Sequence, residues 1–473
     1  MTAVELQNIS VSFDGQTQVL RELSLSVRFG EFVLLSGLSG EGKTTLLSVI
    51  NGVIPFLNPA KMTGRVLLCG EDVTKQAVGK RARLVGSVLQ NADEQIVNTR
   101  ADDEAAFGCE NLAMPLPQMQ QAVATALSRM ELPADAPTRT LSGGQKQKLI
   151  TASTLAMGQK ILLLDEPLAN LDRQSALQLL RTLRGLCKNG YAVLLVEHRL
   201  DLALPFADTL YTMEDGKLFL RKDKAGFLKS QQALLPQTES CKQDRVLICA
   251  QGLRYSKKDK EILHGVDFEI RAGEKIVLLG DNGCGKTTLL RLLSRLEKPD
   301  CGIYSQTILP SARRANAAWF RHVGYVYQNP SYQLCMPTLG QEIRSGAAND
   351  ATAGQMLEQF GLSAFCDRHP HALSEGQKRR AGVAAICAAK PQVIFLDEPT
   401  VGQDLFHLRQ MVDSLFTLQK ETGCALVTVT HDVRCAAALA DRIVWMERGR
   451  ILRTGDRTLA ARYFEERSAD DGA

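Results

Sequence analysis

GLSGEGKTT, residues 37–45, follows the apolar run FVLLSG (32–37) and leads into the helix-prone TTLLSVI (44–50). Gly37, Gly42, Lys43 and Thr44 fit the pattern G-x-x-x-x-G-K-[ST]. Glycines let successive backbone N–H groups turn inward, and the helix that follows adds its N-terminal dipole, so the stretch can nest an anion. In such a loop Lys43 reaches the β- and γ-phosphates of a nucleotide and the Thr44 hydroxyl ligates Mg²⁺. Gly40 and Thr45 complete the cradle. A plain glycine turn is the bland alternative for a single match, and the rest of the chain decides against it.

Working outward from this loop, the chain is written twice. GLSGEGKTT returns as GDNGCGKTT (280–288), LSGGQKQK (141–148) as LSEGQKRR (373–380), LLLDEP (162–167) as IFLDEP (394–399), and VEHR (196–199) as VTHD (429–432). Four landmarks recur in one order, displaced by 232 to 243 residues, so a domain of about 225–240 residues is duplicated. The second loop offers Gly280, Gly283, Gly285, Lys286, Thr287 and Thr288 as phosphate ligands. A chain of 473 residues is too long for a single core, which agrees with duplication. The expected division is one domain at 1–221, a linker at 222–244 and a second domain at 245–473. The linker, KDKAGFLKSQQALLPQTESCKQD, is polar with one proline and reads as a short tether or tethered helix. The closing EERSADDGA reads as a frayed acidic tail.

In both copies apolar, strand-like runs alternate with helical sequence: FVLLSG, ILLLD and AVLLVEH in one, KIVLLG, VIFLD and ALVTVTH in the other. That alternation predicts an α/β fold with a mostly parallel sheet. Each copy closes on a strand–turn–strand, TMEDGKLFL and WMERGRIL. A formal charge of +4 is small for this length and argues neither for nor against nucleic acid. No run approaches the roughly 18 apolar residues of a membrane-spanning helix, and the N-terminus lacks a signal-peptide pattern. Work at a membrane would therefore need other subunits to supply the spanning part. The twelve cysteines never form C-x-x-C, and Cys249, Cys387 and Cys424 sit in apolar stretches, as reduced structural thiols of a cytosolic protein do. The seven histidines form no metal-ligand cluster.

After an apolar strand in each copy comes a carboxylate pair, Asp165–Glu166 and Asp397–Glu398. An aspartate at a buried strand end can hold Mg²⁺, and the glutamate beside it can orient or deprotonate attacking water. Alone such a pair is usually a solvated turn; a phosphate loop upstream makes it functional.

LSGGQ ahead of LLLDEP, a lone glutamine after a strand, and a histidine ending the next strand together resemble the ATP-binding-cassette (ABC) ATPase family, over nearly the whole chain and twice. The resemblance implies tandem P-loop domains, each with an added antiparallel β subdomain and a helical subdomain, that hydrolyse ATP with Mg²⁺. By the same resemblance Gln90 and Gln328 are Q-loop residues sensing Mg²⁺ and the transport partner. His198 and His431 contact the γ-phosphate, Asp172 and Asp404 lie in D-loops, and Phe13 and Tyr255, just past the first strand, stack on adenine. Core packing is the rival reading for those two aromatics. Ser142, Gly143 and Gly144, and Ser374 and Gly376, form signatures that offer a hydroxyl and a helix N-terminus to an anion. The expected composite sites join Lys43 with Ser374 and Lys286 with Ser142. Glu375 replaces the first signature glycine and would repel phosphate if it pointed inward.

QNADEQIVNTRADDEAAFGCENLAMP in the first copy resembles the ATPases of energy-coupling factor (ECF) transporters, which import vitamins and transition-metal ions. QNPSYQLCMPTLGQEI and DEPTVGQD in the second fit the same group. The resemblance implies a peripheral protein on the cytoplasmic face of the cell membrane. Its partners would be a transmembrane coupling subunit and a separate substrate-binding membrane subunit, with docking beside Gln90 and Gln328 and no nucleic acid. The alternatives are the ATPase of a sugar importer and a tandem ABC factor acting on ribosomes. The latter class carries a longer, strongly charged helical linker than the one here.

Overall fold

In the strand Phe32–Gly37, side chains leave alternately to the two faces of a sheet. Val33 and Leu35 enter one apolar cluster, and Phe32 and Leu34 enter another. Both clusters are dry, which is why this strand reads as a continuous apolar run instead of an alternating one. The computed structural model describes residues 1–169, 171–232, 240–257, 260–311 and 315–470. They fall into two units, Met1–Gln231 and Gln232–Ala473.

The first unit's central sheet runs, edge to edge, Lys217–Leu220, Thr209–Glu214, Phe32–Gly37, Ala192–Val196, Ile161–Asp165 and Val85–Val88. Every pairing is parallel except the closing hairpin. One face carries the helix Lys43–Asn51 and an antiparallel sheet of Gln18–Arg28, Thr2–Ser12, Lys61–Leu68 and Glu71–Asp72. The other face carries Arg173–Lys188 and the helices Ala101–Asn111, Leu116–Arg129 and Gly143–Ala156.

The second unit repeats the order with Arg450–Gly455, Arg442–Glu447, Lys275–Leu279, Ala425–Val429, Val393–Asp397 and Val323–Val326. Its antiparallel sheet has three strands, Lys260–Arg271, Val246–Lys257 and Cys301–Gln306. Both units are therefore α/β, with a mostly parallel sheet, an antiparallel β layer and a helical layer.

One packing problem is solved differently in the two copies. The C-terminal carbonyls of Lys43–Asn51 are met by the fully buried Arg81, whose guanidinium donates to Val49 O (2.7 Å) and Ile50 O (3.2 Å). At the matching place the buried Trp319 donates its indole N–H to Ser294 O (3.0 Å), just past the helix Lys286–Leu293. Either device satisfies orphan carbonyls that burial would otherwise leave bare.

Two sequence expectations need correction. EERSADDGA is not a loose tail as far as it is described: residues 465–470 continue the helix Thr458–Asp470. Tyr463 and Phe464 anchor that helix, with Tyr463 against Trp445 at 5.0 Å between ring centroids. Residues 471–473 lie outside the described chain. Tyr255 lies inside Val246–Lys257, not beyond it: it faces Leu263 as Val11 faces Leu20, so in register it matches Val11 of Thr2–Ser12 and not Phe13. Within the expected linker, Lys224–Gln232 is helical and Phe227 and Leu228 pack on the first unit's core. Residues 233–239 fall outside the description. All twelve cysteines are free thiols. Among the described residues no helix is long and apolar enough to cross a membrane.

Candidate functional site

The site is assembled where the strand Phe32–Gly37 gives way to the helix Lys43–Asn51. Gly42 has φ 100°, and a Cβ there would lie 3.1 Å from the Val19 carbonyl oxygen, so the turn needs glycine. The buried Lys43 folds across the loop mouth and donates Nζ to Gly37 O (2.9 Å) and Leu38 O (2.7 Å). Lys286 does the same with Gly280 O (2.6 Å) and Asp281 O (2.9 Å). Each loop thus presents a cation, inward-turning amides and a helix N-terminus on one spot. Gly40 and Gly283, at positive φ, have open space where a side chain would stand.

The carboxylate pairs arrive from the neighbouring buried strand. Thr44 Oγ1 donates to Asp165 Oδ2 at 2.6 Å, and Thr287 Oγ1 to Asp397 Oδ1 at 3.0 Å. Burial, reinforced by the adjacent Glu166 or Glu398, pushes the carboxyls of Asp165 and Asp397 up to about 6. Glu166 and Glu398 both adopt left-handed backbone, φ 47° and 53°, a strained state for residues with a side chain. That conformation turns each glutamate back over the sheet end, where His198 Nε2 lies 2.9 Å from Glu166 Oε1 and His431 Nε2 3.1 Å from Glu398 Oε1.

The copies then part. Gln90 donates Nε2 to Glu166 Oε2 at 2.7 Å, whereas Gln328 is exposed and forms no such described bond. His431 also reaches Asn282 Oδ1 of its own loop at 3.1 Å. Sequence reasoning missed Glu197, a buried carboxylate before the first histidine. It accepts the N–H groups of Leu168, His198 and Arg199 and holds both segments in place. Its counterpart, Thr430, instead shares a hydroxyl–hydroxyl bond with Thr400 at 2.9 Å. A charged residue directly after an otherwise apolar strand, in LLVEH, was the available signal.

Both signature helices, Gly143–Ala156 and Glu375–Ala388, begin with a capping box made by Ser142 with Gln145 and Ser374 with Gln377. Gly143, Gly144 and Gly376 occupy the first turn. Glu375 turns along its own helix, where Lys378 Nζ donates to its Oε1 at 2.9 Å. In the first unit the matching lysine, Lys146, pairs with Asp93 beside Gln90. Asp172 and Asp404 cap the helices after the carboxylate strands, accepting from Ser175 N and His407 N. Phe13 is exposed and follows its strand; Tyr255 is half-buried. Thr45 and Thr288 continue the helices behind the loops.

The donor set fits Mg²⁺. At each loop a hydroxyl and a carboxylate, both hard oxygens, meet beside the phosphate cradle, and among the described residues no three His, Cys, Asp or Glu form a cage. An ion there would keep waters and phosphate oxygens, as Mg²⁺ prefers. Thr44 and Asp165, and Thr287 and Asp397, would hold it; bound, it neutralises charge on the phosphates. With a nucleotide bound, the loop amides and lysines would bind and orient phosphate, and each glutamate, beside its histidine, could act as a base.

Comparisons with known proteins agree with this geometry. The ABC transporter family matches residues 20–169 and 263–401. A Methanosarcina mazei protein, provisionally named an ABC transporter ATP-binding protein, is 32% identical over 96% of this chain and 88% of its own. A Bacillus subtilis protein, provisionally named an HMP/thiamine import ATP-binding protein, is 29% identical over 93% of this chain and 89% of its own. Among solved structures, an archaeal ribosome recycling factor crystallised with a ribosomal stalk protein is similar at a TM-score of 0.68. It is 20% identical, covers 98% of this chain and 92% of its own, and so shares the fold alone. Two nucleotide loops, each with its aspartate, glutamate and histidine in place, together with these matches make the chain a tandem ATP-hydrolysing member of the ABC transporter family.

Proposed function

We propose that this chain is the ATPase subunit of a membrane importer of the energy-coupling factor type, taking up a vitamin or a transition-metal ion. It hydrolyses Mg·ATP at both loops, with Glu166 and Glu398 acting on the attacking water. The observation that carries the catalytic part is the glutamate in left-handed backbone beside a histidine and a Thr–Asp pair, built twice. The import part is supported by the Bacillus relative's name and by the acidic Q-loop segment of the first unit. Pairing of Lys43 with Ser374 and of Lys286 with Ser142, as in the family, belongs to the same proposal.

Transmembrane coupling and substrate-binding subunits would dock beside Gln90 and Gln328 on the cytoplasmic face of the cell membrane. Asp93 is paired with Lys146 of the signature helix, whereas Glu94 only accepts from the neighbouring Asn91 (2.9 Å), so Glu94 is the cleaner probe of the first docking surface. The test is affinity capture of the full chain from solubilised membranes of its own source. Recovery with a polytopic membrane subunit, weakened by Glu94→Lys while ATP binding persists, is the expected result. Recovery with ribosomes and no membrane subunit would overturn it in favour of a translation factor.

A further inference from the structure

The two left-handed glutamates are held by different donors. In the first unit the Glu166 carbonyl accepts from the main-chain N–H of Ala169 at 3.2 Å, so the turn closes on itself. In the second unit the Glu398 carbonyl accepts from Arg379 Nη1 at 2.7 Å. Arg379 is buried, one turn into the signature helix Glu375–Ala388.

Counting from the signature serines, Gln147 stands for Arg379. It reaches a different segment: Gln147 Nε2 donates to Leu89 O at 3.3 Å, just before Gln90. Lys146 beside it pairs with Asp93 of that segment. The first signature helix is thus tied to the loop that carries Gln90, and the second, through Arg379, to Glu398.

Two unfavourable features meet at this contact. Glu398 sits at φ 53°, and strained backbone of that kind persists where its surroundings over-determine it. The buried Nε of Arg379 finds no hydrogen-bond partner among the described residues, and a buried guanidinium left partly unmatched lowers stability. What results is a fixed glutamate. Its N–H donates to Val429 O of the neighbouring strand at 3.0 Å, and Arg379 takes its carbonyl, so both of its main-chain polar groups are engaged.

We propose that Arg379 is a positioning residue for hydrolysis at the second loop: it clamps the Glu398 carbonyl to the signature helix and so aims the glutamate at the attacking water. This rests on the reading that Glu398 acts on that water. The first unit needs no such clamp, because Ala169 already closes the turn around Glu166.

The test uses the full chain carrying Glu166→Gln, so that steady-state hydrolysis reports the second loop. Arg379→Gln, which supplies the first unit's side chain, should lower kcat by about 10- to 100-fold. KM for Mg·ATP should stay within about twofold, since substrate binding is untouched. Arg379→Met removes the charge and keeps the volume, so it should slow hydrolysis equally while unfolding at the same or a higher temperature. A merely structural role would lower turnover and unfolding temperature together, and that result in both variants overturns the proposal. So does a kcat within about twofold of the parent, or a rise in KM that accounts for the whole loss. In a chain carrying Glu398→Gln in place of Glu166→Gln, Arg379→Gln should change the rate by no more than about twofold, and equal slowing there overturns the proposal as well. The chain with Glu166→Gln and Glu398→Gln together separates the failures. If it hydrolyses as fast as Glu166→Gln alone, the base reading fails and the positioning with it. If it is slower while Arg379→Gln leaves kcat untouched, the positioning alone fails.

Discussion

Replacing both aspartates proposed to hold Mg²⁺, Asp165→Asn with Asp397→Asn, removes a titration that burial moves upward. In each unit the carboxyl lies under the sheet end beside a second carboxylate, and its pKa is pushed up to about 6. Only the ionised form is a good Mg²⁺ ligand. The ionised fraction falls from roughly nine-tenths at pH 7 to one-tenth at pH 5, so Mg²⁺-supported nucleotide affinity should drop about tenfold per site. The γ-phosphate titrates in the same range, near pH 6, and adds its own slope. That slope persists in the Asn variant, and the difference between the two profiles isolates the aspartates. Folding gives an independent sign check. A carboxyl whose folded pKa exceeds its unfolded value loses stability as pH rises from about 4 to 6. The ligand-free Asn variant should therefore be the more stable protein at pH 7, by up to about 3 kcal/mol per site. Fluorescent-nucleotide titration from pH 5 to 7.5, with thermal unfolding beside it, measures both effects. Parallel pH profiles for wild type and variant would refute the reasoning.

Lys43→Ala with Lys286→Ala should abolish nucleotide binding or weaken it severely, and wild-type affinity by calorimetry would contradict the loop assignment. Lys378→Met strips Glu375 of its counterion and should slow steady-state hydrolysis by up to about fivefold, the equivalent of about 1 kcal/mol. Glu375→Gly should restore the rate in that background, and an unchanged rate in Lys378→Met would remove Glu375 as a source of asymmetry. Arg81→Ala leaves buried helix carbonyls bare and should cost about 2–4 kcal/mol in denaturant unfolding, with nucleotide chemistry intact in the folded fraction.

The loops, the strand–helix alternation and the carboxylate pairs were legible because each is a local pattern of adjacent residues. What escaped reading depends on distant partners or on backbone geometry. Nothing in LLLDEP says that Glu166 adopts φ 47°, or that Gln90 and His198 close on it from other strands. Glu375 reads as a repulsive charge until Lys378, one turn along the helix, is seen to hold it. EERSADD looks like a solvated tail because its charges hide a helix whose apolar side, Leu459, Ala460, Tyr463 and Phe464, begins just before it. Arg81 and Trp319 perform one task with unlike chemistry, so no comparison of residue types links them.

The central claim is two hydrolytic Mg·ATP sites in one chain, each served by its own glutamate. Equilibrium binding of radiolabelled ATP with Mg²⁺ to the Glu166→Gln, Glu398→Gln protein, alongside its turnover, tests it most directly. Two nucleotides should be retained per chain, with hydrolysis reduced by a factor of about 10² or more. One nucleotide per chain, or turnover close to that of the wild type, would contradict it.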